Sequence, residues 1–248
     1  MSKVRLLLLL VAIALGLPGS ARAATAVDLE LVLAVDASSS VTSWEFDLQM
    51  QGLSDAFRDP AVQGAIRAAG DLGIAVTLVQ WSGRDRQIKA VEWTLVYDAA
   101  SADEFAADID AAPRFVTGGS TAIGNAIGFS HQLILSNAYQ GARKAIDVSG
   151  DGRTNQGVQT PVLRDAAIAD GITVNGLTIL NEDPSVDTYY RDNVIGGSGA
   201  FLITATDYRD FARAIKLKLI REIGGPPLVM APPERSGQGP GEQTAGRY

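Results

Sequence analysis

A doubly wound α/β sheet, mostly parallel with one antiparallel edge strand and helices on both faces, is the fold class this sequence predicts. Near-continuous apolar runs of strand length, at 29–35, 74–81 and 172–180, alternate with helical periodicities. That alternation is the pattern of parallel strands buried on both faces. The stretch between two atypical ends is about 200 residues, the size of one such domain, and it holds no internal repeat.

The two ends stand apart. Lys3 and Arg5 precede an apolar run at 6–17, Pro18-Gly19 breaks it, and Ala21-Arg22-Ala23 offers an A-x-A cleavage site. Residues 1–23 read as a secretory signal peptide with an apolar core too short to span a bilayer stably. Cleavage would start the mature chain at Ala24 and leave it periplasmic or secreted, with no membrane insertion. Removing Lys3, Arg5 and Arg22, and no acid, takes the formal net charge from −7 to −10. So acidic a protein is a poor match for nucleic acid or anionic membrane. There is no cysteine, so the fold must be held by packing alone. Residues 224–248, with Gly224-Gly225-Pro226-Pro227 and Pro232-Pro233, lack apolar periodicity and read as a disordered tail. The folded domain is expected over 28–223.

Within it, 29–35 reads as a central strand. Phe46, Met50, Leu53 and Phe57 recur at helical spacing and give a helix with one buried stripe, closed by Asp59-Pro60. An Ala-rich helical piece follows at 61–69. The strand at 74–81 turns through Ser82-Gly83 and the charged 84–86, and 88–96 is expected to return antiparallel, because the connection is too short for a crossover helix. Ser101 with Glu104 predicts a capping box for a helix to about 111. After Pro113 and a loop at 114–120 comes a helix at 122–137, with Ile123, Ile127 and Ile134 on one side. Gly124 and Gly128 on it predict close packing against a neighbour, at a cost in helix propensity. Then follow a strand at 144–149, a helix at 158–170 ended by Gly171, a strand at 172–180, and a short helix at 186–193. A strand at 200–204 and a helix at 208–223 close the domain.

Three loops carry the candidate chemistry, each at the carboxyl end of a strand or the start of a helix, where open α/β sheets bind ligands. The first holds Asp36, Ser38 and Ser40, a D-x-S-x-S pattern whose alternate spacing aims one carboxylate and two hydroxyls at a common point. The second brings Thr121 behind Gly118-Gly119-Ser120, where glycine lets the backbone approach a ligand closely. The third presents Asp151 between Gly150 and Gly152. Hard oxygen donors of this kind suit Mg²⁺ or Mn²⁺ rather than zinc. Singly, Asp36, Ser40 and Thr121 read as helix caps; with Asp151 at the same edge they read as ligands of one ion. Trp81 falls either at the rim of this site or beneath the 84–86 loop. His131, the single histidine, reads as a packed helix residue rather than a ligand or base.

The set D-x-S-x-S, G-G-S-T-x-x-G and S-G-D-G, in this order and this strand–loop–helix context, resembles the von Willebrand factor type A (vWA) domain with its metal-ion-dependent adhesion site (MIDAS). The resemblance covers about residues 28–223 and is nearest to small exported bacterial proteins of that superfamily. It implies a Rossmann-like vWA fold and a Mg²⁺ (or Mn²⁺) ion held by Asp36, Ser38, Ser40, Thr121 and Asp151, with all five positions matching. It also implies a non-enzymatic binding role, in which a protein partner presents a carboxylate to the ion. With no Cys and one His, soft-metal and Cys–His chemistry are not available, and there is no G-x-x-x-x-G-K-[ST] phosphate loop. Two other readings stay open. One is a metal-dependent hydrolase, for which the sequence names no general base; the other is a structural module whose ion only pins the loops together.

Overall fold

A computed structural model describes residues 24–225. The expected signal peptide at 1–23, and the expected tail from residue 226 on, lie outside the described residues. The strands are β1 (Thr25–Asp36), β2 (Ile74–Trp81), β3 (Gln87–Val96), β4 (Tyr139–Gly150), β5 (Thr173–Ile179) and β6 (Leu202–Ala205). The helices are α1 (Ser43–Arg58), α2 (Pro60–Ala69), α3 (Ala99–Ala111), α4 (Ile123–Ser136), α5 (Thr160–Ala169), α6 (Val186–Asn193) and α7 (Phe211–Gly224). One six-stranded sheet runs in the order β3-β2-β1-β4-β5-β6. All neighbours are parallel except β3, which pairs antiparallel with β2 as expected.

This order has its switch point between β1 and β4. After β1 the chain moves to β2 on one side, and later returns to β4 on the other. Crevices at such points open outside the carboxyl ends of the strands. Val35 pairs with Ser149, and Asp36 with Trp81, so Asp36 and Asp151 are delivered to that crevice from adjacent strands.

Alternation along β1 supplies both cores. Leu29, Leu31, Leu33 and Val35 join Phe46, Leu53, Phe57, Phe105, Phe211 and Leu219 on one face. Val32 and Ala34 join Trp81, Ile123, Ile127, Ile146, Val148 and Tyr190 on the other. Helices α1, α2, α3 and α7 cover the first face, and α4, α5 and α6 the second.

Several boundaries differ from the sequence expectation. The capping box of α3 is formed by Asp98 and Ser101, not Ser101 and Glu104. Asp98 is extended and its carboxylate accepts the Ser101 N–H at 2.8 Å, so the helix starts a turn earlier. Strand β4 starts five residues before 144, because Tyr139 to Arg143 pair with the start of β1 although their sequence does not alternate. Helix α7 begins at Phe211 rather than 208. The Asp207 carboxylate accepts the N–H groups of Arg209 and Asp210, and Tyr208 sits in that turn. Gly124 does mark close packing: a Cβ there would lie 2.4 Å from the Val158 carbonyl oxygen.

Candidate functional site

The first loop leaves β1 at Asp36 and is fixed locally. The Ser38 N–H donates to Asp36 Oδ1 at 2.8 Å, and the Gln49 amide of α1 donates to the Asp36 carbonyl at 3.1 Å. Thr42 and Glu45 then form a capping box that starts α1. Arg114, from the loop after α3, holds the outside of this turn. Its guanidinium donates to the carbonyls of Ala37, Ser38 and Val41 and lies 4.9 Å from the centre of the Phe46 ring.

The three loops are stitched to one another. The Ser39 N–H donates to the Gly119 carbonyl, and the Gly119 N–H donates back to Ser39 Oγ at 2.8 Å. Gly118 and Gly119 have φ of 66° and 103°, a region glycine adopts without Cβ strain. The N–H groups of Asn155 and Gln156 donate to the Thr121 carbonyl, and the Thr121 N–H donates to Asn155 Oδ1 at 2.9 Å. Across the gap, Ser40 Oγ donates to Asp151 Oδ1 at 2.8 Å.

Four of the five residues named from the sequence therefore form one continuous hydrogen-bonded chain. Asp36 holds the Ser38 backbone, Ser38 Oγ lies 3.2 Å from Ser40 Oγ, and Ser40 bonds Asp151. Thr121 is brought to the same edge by its backbone, and no hydrogen bond joins its hydroxyl to the other four. Asp151 is completed from outside the motif set, by the Tyr208 hydroxyl donating to Oδ2 at 2.9 Å.

One atom stands out. Asp36 Oδ2 is buried and has no hydrogen-bond partner, an arrangement that costs free energy unless something else satisfies it. Gly150 is what lets it approach: a Cβ there would lie 2.9 Å from Asp36 Oδ2 and 2.7 Å from the Tyr190 hydroxyl. Burial, then the neighbouring Asp151 charge, pushes Asp36 up to about 7, against the Ser38 hydrogen bonds and the Arg114 charge. Asp151 is also pushed up, mainly by burial, against its bonds from Ser40 and Tyr208.

Two buried acids and nearby hydroxyls around an unsatisfied carboxylate oxygen fit a hard divalent cation, which would relieve both the burial and the mutual repulsion. Among the described residues no three His, Asp or Glu side chains gather as a ligand cluster, so such an ion would depend on hydroxyl donors.

His131 is a packed helix residue, with Nε2 2.7 Å from Asp170 Oδ2. Trp81 is fully buried in the second core, not at a surface rim. Sequence reasoning missed Arg114, Tyr208 and Tyr190. None lies in a motif, and only the fold brings them to the site.

A family model described as "Protein of unknown function (DUF1194)" matches residues 26–227. The chain belongs to the DUF1194 family. No curated protein matches it. Among solved structures it is similar to proximal thread matrix protein 1 (PTMP1) from the mussel byssus. That likeness has a TM-score of 0.61 at 18% identity, over 79% of this chain and 47% of the mussel protein. A second form of that protein, with a zinc-occupied MIDAS motif, scores 0.56 at 17% identity over 78% and 47%. The von Willebrand factor type A protein from Catenulispora acidiphila scores 0.51 at 16% identity, over 80% and 43%. The SpRpn10 VWA domain scores 0.52 at 12% identity, over 75% and 93%. The chain spans about half the length of the mussel protein. At these identities the likenesses establish the fold: this family member has a vWA-like architecture.

Proposed function

We propose that this chain is an exported, metal-dependent protein-binding module. Asp36, Ser38, Ser40, Thr121 and Asp151 would hold a divalent cation, Mg²⁺ or Mn²⁺, at the carboxyl edge of the sheet, and a protein partner would complete it with a carboxylate. The observation that carries the reading is the buried, unpartnered Oδ2 of Asp36 beside Asp151, at the meeting point of three loops. Five side chains leave at least one position of an octahedral Mg²⁺ for an outside oxygen. Three of the five are neutral hydroxyls, so the two acids at most balance the ion. Against an acidic surface that spot attracts a carboxylate where its surroundings repel one, which favours specificity. The zinc-occupied MIDAS of the mussel protein is consistent with a divalent ion in a site of this kind. Export rests on the signal-like residues 1–23.

The test is thermal unfolding with Mg²⁺, Mn²⁺ or EDTA. At a hundredfold excess over Kd, a ligand of the native state adds about 2.7 kcal/mol. Wild type should gain stability from the ion, whereas Asp36→Ala and Asp151→Ala should not. An equal gain in wild type and Asp36→Ala would overturn the site. A partner captured by wild type should be released by chelator and missed by Thr121→Ala.

A further inference from the structure

At the amino edge of the sheet, opposite the candidate metal site, a cavity of about 380 Å³ opens between the start of β4, β5 and the end of α7. That volume falls within the range of small-molecule sites. Its charged lining runs against the character of the chain. In a protein of net charge −7, Arg143 and Arg221 turn their guanidinium groups to it, and among the described residues that line it Glu222 is the one acid. Glu222 is already engaged: its carboxylate accepts both bonds from the Asn175 amide, at 2.9 and 2.8 Å, and one from Lys218 at 3.1 Å. Asn175 is engaged as well, since its oxygen accepts the Phe201 N–H.

The cations are less occupied. Arg143 donates to the last carbonyls of α7, at Glu222 and Ile223, and keeps its charge. Lys144, the next residue of β4, turns its ammonium to the opposite face of the sheet, 3.9 Å from Glu30, and takes no part. The Arg221 guanidinium lies 4.1 Å from the centre of the Phe201 ring and has no hydrogen bond or ion pair among the described residues. Stacking on an aromatic face holds a guanidinium still while leaving its in-plane N–H groups free. A fixed, unused fork of donors at the mouth of a cavity is suited to a bidentate oxyanion. Leu29, Ala142 and Ala145 supply an apolar wall beside it.

We propose that this cavity is a second ligand site, independent of the metal centre, for a small organic oxyanion with a short apolar body. The Arg221 fork takes the carboxylate or phosphate, Arg143 adds field, and the apolar wall receives the body.

The test uses the full chain stripped of metal with EDTA and then dialysed free of chelator, so that neither metal nor a second carboxylate competes. Benzoate, phenyl phosphate and uncharged benzamide are titrated while the Arg221 Nε–H resonance and the melting temperature are followed. At least one of the two anions should shift that resonance to saturation and raise Tm, and benzamide should not; which anion binds tighter assigns carboxylate or phosphate. Losing a charge-assisted pair should weaken binding roughly ten- to a hundredfold in Arg221→Met, whose Tm without ligand is expected to match wild type because Arg221 is exposed. Asp36→Ala should bind the anion as wild type does. No saturation with either anion, an equal response to benzamide, or undiminished binding by Arg221→Met would overturn the proposal.

Discussion

Asp36 is a carboxyl group placed where a carboxylate is unwelcome, and its energetics set how the site behaves when metal is withheld. Folded, it holds a proton up to about pH 7, whereas an ordinary aspartate releases it near 3.8. Because the folded value is raised, its contribution to stability is fullest below the unfolded value and is lost as pH rises from about 4 to 7. At about 1.4 kcal/mol per pH unit, the loss cannot exceed about 4 kcal/mol. We expect metal-free protein to be less stable at pH 8 than at pH 5, Asp36→Asn to flatten that dependence, and ion binding to strengthen as pH rises through 7. Urea unfolding in EDTA at the two pH values checks this; identical slopes for wild type and Asp36→Asn would refute it. Gly150→Ala gives a second prediction at this scale. Its Cβ would press on Asp36 Oδ2 and the Tyr190 hydroxyl, costing roughly 1–3 kcal/mol and blunting the response to Mg²⁺. The acids and hydroxyls were legible in the sequence because their spacing within each loop is local. Tyr208 and Arg114 were not, because their partners lie 57 residues away in one case and up to 77 in the other.

At the scale of elements, rigid helix starts and shared backbone bonds hold the three loops. Arg114 is the main clasp, since three carbonyls of the first loop converge on one guanidinium. Arg114→Met keeps the stem against Phe46 and removes those bonds. It should destabilise by roughly 1–3 kcal/mol and weaken ion binding, although it touches neither acid; calorimetric titration with Mn²⁺ measures the second effect. Unchanged affinity would mean that the capping box at Thr42 suffices. Helix α4 offers a contrasting case, where sequence alone anticipated the packing. Gly124 brings the helix against the Val158 carbonyl, so Gly124→Ala, ordinarily favourable in a helix, should instead destabilise, and a melting curve decides the sign. Elements with a strong local signature, such as β2 and α6, were legible to the residue. Boundaries set by distant partners were not: β4 is extended by pairing with β1, and α7 is delayed by the Asp207 turn.

Across the whole molecule, an α/β sheet was legible from alternating runs, but the strand order was not. Order depends on which long-range pairs form, and no periodicity encodes that. Nor did the sequence show that α7 carries a buried cation. Lys218 is fully buried, with Nζ 2.9 Å from Asp147 Oδ1 and 3.1 Å from Glu222 Oε2. Both Asp147 oxygens lack an aligned hydrogen bond. Burial raises Asp147 to about 6, Lys218 opposes this, and Glu222 adds to it. One cation thus holds two buried acids between the sheet and α7, the helix entered from the Tyr208 turn that completes Asp151. Removing one member of such a cluster leaves uncompensated charge, whereas replacing all of them with neutral groups of like shape need not destabilise. We expect Lys218→Met alone to cost roughly 3–5 kcal/mol. Lys218→Met with Asp147→Asn and Glu222→Gln should regain most of that loss. Urea unfolding at pH 7.5 in EDTA separates the two variants. If the single variant were as stable as wild type, the cluster would not be the tie between α7 and the sheet, and apolar packing around Phe211 and Leu219 would hold the helix by itself.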